Sequence, residues 1–392
     1  MINTTYTEHE LVDFINQLIK EALVKRISDI HFEPYQDKYR IRARIDGVLQ
    51  EVATLPIELS RQVAVRLKVM AKLDIAEQRL PQDGQLNLDE QTMRISTLPV
   101  AYGEKVVLRV MDNSTQQLFI DQLGLTDDEL VCYKAMLNSS QGLILVTGPT
   151  GSGKTVTLYS GLMEINRGEQ NICSAEDPIE LPIAGINQTQ VNAKIDLSFS
   201  KILRSLLRQD PDTIMIGEIR DKETAEIAVQ ASQTGHLVLS TLHTNSSAEA
   251  LIRLNQMGIQ NYLIASSLKL IIAQRLVRKL CPHCKKLSAE PIQLPKESFS
   301  DEDGNNTISH HYLAQGCQHC IGGYKGRIGV YELLVITPEI QSLLLNQSAF
   351  TLSAIQQFIA EKKIKTLAIA GIEQVKNGVT SFAEIQRVLD YA

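Results

Sequence analysis

The chain has 392 residues, enough for two or three domains with a substantial buried core. Apolar residues make up 44% and charged residues 21%, an ordinary globular balance, while a net charge of −6, few aromatics and no tryptophan argue against a polyanion-binding or base-stacking protein. No apolar run approaches the ~18–20 residues that span a bilayer, and MINTTYTEHELVDF lacks a secretory signal, so no transmembrane segment and a cytosolic location are expected.

In EHELVDFINQLIKEALVK (8–25), Leu11, Phe14, Ile15, Leu18, Ile19 and Ala22 share one helical stripe. YRIRARIDGVLQEV (39–52) alternates around Asp46-Gly47, a hairpin signal. A helical pattern at 57–74, a turn at LPQDGQ (80–85) and strands at 93–100 and 104–111 complete an N-terminal α+β domain, residues 1–112, followed by a polar linker, 113–124. Residues 125–280 then alternate helical patterns with the short apolar strands GLILVTG, NICSAED, TIMIGEI and HLVLSTL. That rhythm predicts an α/β domain with a mostly parallel sheet. Its last part, KLIIAQRLVRKL (269–280), reads as a basic amphipathic helix, with its apolar face either packed internally or turned to acidic headgroups or a membrane partner. A Cys/Gly/His-rich segment (281–328), interrupted by KESFSDEDGNNTISHH, leads into a C-terminal helical segment, 329–392.

Gly148-Pro149-Thr150-Gly151-Ser152-Gly153-Lys154-Thr155 fits GxxxxGK[ST] in full, between a strand-like ILVT and a helix-like VTLYSGLMEI. In that context the glycines let backbone N–H groups converge on phosphate, and Lys154 and Thr155 are placed for the phosphates of ATP and for Mg²⁺. Three later stretches end predicted strands in polar groups: Glu176-Asp177-Pro178, Asp212-Thr213-Ile214-Met215-Ile216-Gly217-Glu218, and a strand bracketed by His236 and His243. The second resembles a Walker B strand with glycine at the usual aspartate. Glu176 and Glu218 are candidates to polarise water and to serve Mg²⁺, and either carboxylate fits either role.

EDPIE (176–180), LRQDPDTIMIGEIRD (207–221) and TGHLVLSTLHTN (234–245) resemble the aspartate box, Walker B and histidine box of the secretion ATPases. Together with SDIHFEP, RIRARIDG, RLPQDGQ and GEKVVLRV in the first domain, they are most similar to the extension ATPases of type II secretion and type IV pili. The resemblance implies a PAS-like N-terminal domain followed by a RecA-like P-loop domain with a zinc-binding insertion and C-terminal helices. It also implies a homo-hexamer at the cytoplasmic face of the inner membrane that hydrolyses ATP and drives a platform protein, with no nucleic-acid substrate. By the same resemblance Glu176, Glu218, His236 and His243 are catalytic, and Arg94 and Arg109 reach the nucleotide of a neighbouring subunit. Larger members carry a further N-terminal domain that docks on a membrane adaptor, whereas here the first domain begins almost at residue 1. The alternatives are a zinc-stabilised nucleotide-binding scaffold without turnover and a nucleic-acid translocase.

Cys281-Pro-His-Cys284 and Cys317-Gln-His-Cys320 can bring four thiolates around one Zn²⁺, with His283 or His319 as substitute ligands. Such a site staples a segment too polar to build its own core. The resemblance supports four sulfurs, which extension ATPases commonly carry. Cys132 and Cys173 read as small buried apolar residues.

Overall fold

Alternation dominates the first unit. In the computed structural model, which describes residues 8–25, 27–88, 91–110, 119–294, 307–346 and 350–389, contacts divide the chain into Met1–Gln116 and Gln117–Ala392. The expected linker residues 113–118 lie outside the described residues. The first unit runs α1 (Glu8–Val24), β1 (Ile27–Pro34), β2 (Tyr39–Ile45), β3 (Val48–Leu55), α2 (Ser60–Met70), β4 (Gln82–Leu88), β5 (Gln91–Val100) and β6 (Gly103–Val110). The six strands form one antiparallel sheet, ordered β3-β2-β1-β6-β5-β4. Asp46 and Gly47 join β2 to β3 with φ of +48° and +84°, the left-handed pair a two-residue hairpin requires.

Strand residues Ile30, Phe32, Ile41, Ile95 and Leu108 are buried, as are Ile15 and Ile19 of α1 and Leu67 of α2. α1 packs on β1 and α2 on β6. The intervening positions carry charge. Glu33 accepts from Arg42 at 2.8 and 2.9 Å and lies 3.2 Å from Lys105. Burial opposes its ionisation, and these two cations overcome that and bring its pKa down to about 2. The expected turn at LPQDGQ is shorter than its sequence suggests, because β4 already begins at Gln82 and pairs with Thr97.

The second unit contains α3 (Asp127–Leu137), β7 (Gly142–Thr147), α4 (Lys154–Ile165), β8 (Ile172–Glu176), β9 (Asn187–Gln190), α5 (Phe199–Leu206), β10 (Thr213–Ile216), α6 (Lys222–Gln233), β11 (Leu237–Leu242), α7 (Ser247–Gln256), α8 (Asn261–Ser267) and β12 (Leu268–Leu280). Four two-residue strands follow: β13 (Lys286–Leu287), β14 (Ile292–Gln293), β15 (Thr307–Ile308) and β16 (Tyr312–Leu313). Then come β17 (Tyr324–Val335), α9 (Pro338–Leu345), α10 (Leu352–Glu361), α11 (Leu367–Lys376) and α12 (Phe382–Leu389). The main sheet is ordered β17-β12-β7-β11-β10-β8-β9, parallel except for β17. Leu143 and Leu145 enter one core, with α5 to α8, while Ile144 and Val146 enter the other, with α3 and α4. Successive residues of β7 therefore face opposite layers, and the strand reads as continuously apolar.

The same covering explains a correction. Residues 269–280 are not a helix but most of β12, paired in parallel with β7 and antiparallel with β17. A strand buried on both faces loses the period-two signal, and tertiary pairing overrides the helical reading. β17 also runs through the expected boundary at 328/329, so the C-terminal helices begin at Pro338.

Candidate functional site: a phosphate turn at the carboxyl edge of the sheet

β7 delivers the chain into Gly148–Gly153 at the carboxyl edge of the parallel strands, where open α/β sheets bind ligands. A Cβ on Gly148 would lie 2.6 Å from the Gln274 carbonyl oxygen and 2.5 Å from Ser152 Oγ, so only glycine fits. Gly153, with φ of +88°, makes the left-handed entry to α4. The first-turn N–H groups of α4 have no partner within the helix and carry its positive dipole end. Lys154 Nζ donates to Gly148 O at 2.8 Å and Pro149 O at 3.2 Å. Burial brings its pKa down to about 8, against the pull of Glu218. Ser152 Oγ is buried with no hydrogen-bond partner among the described residues. A buried cation, an orphaned hydroxyl and a helix N-terminus fit a phosphate group, and the Thr155 hydroxyl fits its Mg²⁺.

Glu218 follows β10 after Gly217. Thr241 Oγ1 donates to Gly217 O at 2.7 Å, and Gly217 N to Ala175 O at 2.8 Å, which fixes the carboxylate between β8 and β11. Its oxygens meet Arg220 Nη2 and, at 3.3 Å, His243 Nε2. Arg220 also lies 3.8 Å from Asp177. His243 titrates below its ordinary value because of burial and the nearby Lys154, with Glu218 opposing. Thr147 Oγ1 accepts from Thr244 N at 2.9 Å, tying the His243 loop to the end of β7. Lys154, Glu218 and His243 therefore share one electrostatic neighbourhood although they leave three different strands.

Other expected residues lie elsewhere. His236 does not join this cluster. β11 runs parallel to β7, with Leu237 opposite Gly142 and Leu242 opposite Thr147, so His236 and His243 sit at opposite edges of the sheet, roughly 20 Å apart at ~3.3 Å per residue. His236 Nδ1 is 3.0 Å from Ala231 O. Glu176 ends β8 at the correct edge, but the residue is only 3% exposed. It accepts from Ser174 Oγ at 2.5 Å, Gln188 Nε2 at 3.0 Å and the Tyr159 hydroxyl. Arg94 and Arg109 belong to the first unit, where they are cross-strand partners, and Arg109 Nε donates to Asp29 at 2.9 Å.

Sequence reasoning missed Gln274 and Arg275 because it placed them on a helix. Gln274 donates to Ser152 O at 2.6 Å and accepts from Thr157 Oγ1 at 2.7 Å, bracing the phosphate turn from β12. The available signal was a polar pair inside the apolar run LIIAQRLV, since buried polar groups require partners.

Between β12 and β17, the Sγ atoms of Cys281, Cys284, Cys317 and Cys320 all lie within 4.8 Å of one another, with separations of 3.6 to 3.9 Å for the closer pairs. Four sulfurs ~2.3 Å from a tetrahedral Zn²⁺ lie roughly 3.8 Å apart, so the set fits that ion. The amide N–H groups of Cys317 and His319 donate to Cys320 Sγ at 3.3 Å and Cys317 Sγ at 3.4 Å, which favours thiolates. His283 and His319 stand outside the set, with ring centroids 4.8 Å apart.

A family profile described as "Type II/IV secretion system protein" matches residues 5–387. The type IV pilus assembly ATPase PilB of Acinetobacter baylyi is 46% identical over 97% of this chain and 66% of its own length. The type II secretion system ATPase E of Vibrio cholerae is 45% identical over 96% of this chain and 75% of its own. This chain thus spans about two thirds to three quarters of these relatives. Among solved structures, the pilus retraction motor PilT with bound ADP covers 95% of this chain and 96% of its own at 26% identity and a TM-score of 0.63. The Legionella pneumophila ATPase DotB shares the fold over 99% and 97%, with 19% identity and a TM-score of 0.70. By a match along nearly its whole length, the chain belongs to the type II/IV secretion system protein family.

Proposed function

We propose that the chain is an ATP-hydrolysing motor that works as a homo-hexamer at the cytoplasmic face of the inner membrane. Its domain movements drive a platform protein that builds a type IV pilus or a type II secretion pseudopilus, and a membrane-anchored adaptor is a further partner. The observation that carries this reading is the convergence of Lys154, Glu218 and His243 beside the phosphate turn. Relatives named as pilus assembly and secretion ATPases support it.

Gly148–Thr155 holds the triphosphate, with Lys154 as its buried cation. Thr155 and Glu218 hold Mg²⁺, which supplies charge neutralisation at the phosphates. Glu176 polarises the attacking water after its carboxylate is released by Tyr159 and Ser174. His243 restrains Glu218, with burial and Lys154 holding its imidazole below the ordinary value. Arg94 and Arg109 reach the nucleotide of the next subunit. Zn²⁺ on the four cysteines is structural, since four thiolates leave it no open position. The test measures ATPase rates of wild type, Lys154→Ala and Glu218→Gln with the platform's cytoplasmic part present. A wild-type rate well above both variants is expected, and equal low rates would leave only a nucleotide-binding scaffold.

A further inference from the structure

β12 passes beside the phosphate turn, and two successive residues leave it in opposite directions, as a strand dictates. Gln274, 1% exposed, grips the turn and α4 through Ser152 O and Thr157 Oγ1. Arg275, 7% exposed, serves the other face. Its Nη1 donates to Gln274 O at 3.0 Å, and its Nη2 to Asn245 O at 3.1 Å and Asn245 Oδ1 at 3.2 Å. Asn245 is two residues beyond His243. The same guanidinium acts on Lys154 as a like charge and favours its neutral form.

The chain of contacts continues past that loop. Glu332 lies opposite Ala273 in the β12/β17 register and is 4% exposed. It accepts from Ser247 N at 2.9 Å and Ser247 Oγ at 2.5 Å, and from Leu367 N at 3.1 Å. One carboxylate thus caps the first residues of both α7 and α11, where helix dipoles favour negative charge. Gln274, Arg275, Ser247 and Glu332 on this path are buried and paired, so displacing one strands another at a cost, while Asn245 carries the route out to an exposed loop.

We propose that Gln274 and Arg275 are positioning residues that join the phosphate turn to the 243–247 loop. Engagement of phosphate at the turn orders His243 from across the sheet, and Glu332 passes the change to the start of α11. The coupling rests on the reading of Gly148–Thr155 as a nucleotide site, but not on turnover there. It is a contiguous hydrogen-bonded route between two defined segments, the kind of physical network along which coupling travels.

Hydrogen exchange with and without Mg·ADP tests it in the full chain, comparing wild type, Arg275→Gln and Arg275→Lys. In wild type, ADP should slow exchange at both 148–157 and 243–251. In Arg275→Gln, protection should persist at 148–157 and fall at least threefold at 243–251, with Arg275→Lys restoring part of it. Where turnover is measurable, kcat should fall at least tenfold in Arg275→Gln while ADP affinity changes less than threefold. Adding Asn245→Ala to Arg275→Gln should then cause little further loss. Undiminished protection at both segments in folded Arg275→Gln, or additive losses in the double variant, would overturn the coupling. Protection at neither segment in wild type would instead overturn the nucleotide reading, and the coupling with it. A melting temperature for each variant separates these outcomes from misfolding: Arg275→Gln that is unfolded, with Arg275→Lys folded and indistinguishable from wild type, also rejects the proposal.

Discussion

His243 Nε2 lies 3.3 Å from Glu218 Oε2, where the ends of two neighbouring parallel strands meet. Burial and Lys154 hold the imidazole below its ordinary value, and Glu218 pulls it upward. Removing that negative charge should therefore lower the His243 midpoint further. Glu218→Gln is expected to show this in an NMR titration, and to slow ATP turnover by ~100-fold or more if the carboxylate serves the chemistry. A midpoint that rises would contradict the electrostatic picture.

Lys154 is expected to cost stability when no phosphate is bound. Its pKa in the folded chain is near 8, below the ordinary 10.5. The folded state thus disfavours the proton that the unfolded chain keeps, so the cost is full below about pH 8 and fades as pH rises toward 10.5. Lys154→Met should melt higher than wild type at pH 7 without nucleotide, and the advantage should shrink above pH 8. The same variant should fail to bind ADP. A lower melting point at pH 7 would mean that the bonds to Gly148 O and Pro149 O outweigh burial.

Tyr159 and Glu176 test a second arrangement. Tyr159→Phe leaves a buried carboxylate short of one donor, and urea unfolding should show a loss of ~1–3 kcal/mol. If the hydroxyl only restrains Glu176, ATP turnover should stay within about threefold of wild type, while Glu176→Gln should lose most of it. A hundredfold loss in Tyr159→Phe would place the phenol in the chemistry.

The cysteine cluster should bind one Zn²⁺ per chain by elemental analysis. Chelation, or Cys284→Ser, should lower the melting temperature. ADP affinity at the phosphate turn should change by less than about threefold, because the metal contributes folding free energy to its own segment. Metal loss that abolishes ADP binding would show the two sites to be one structural unit.

How far the sequence reveals this protein depends on how local each signal is. Gly148–Thr155 is legible because its geometry is set by glycines and flanks within a dozen residues. The four cysteines are legible because pairwise spacing states the coordination directly. His236 and His243 look equivalent in sequence, and only the parallel direction of β11 assigns them to different edges. Glu176 and Glu218 both end strands at the correct edge, yet Tyr159, Ser174 and Gln188 enclose the first. Ser174 sits on the same strand, but Tyr159 comes from α4 and Gln188 from β9, so no short window reports the full set. β12 misled for a related reason: helices cover both its faces, which erases the alternation that betrays a half-buried strand.

The antiparallel pair β12/β17 is a long hairpin whose far end is gathered by the four sulfurs and whose middle touches the phosphate turn. Gln274 lies within β12 and Cys281 just past its end, roughly 20 Å on at ~3.3 Å per residue, with one register shift between Arg278 and Leu280. The four-cysteine tip and the brace of the phosphate turn are therefore carried by one and the same strand. A pull on that tip would run along β12 to the residue that braces the phosphate turn, so the strand joins two sites that look separate along the chain.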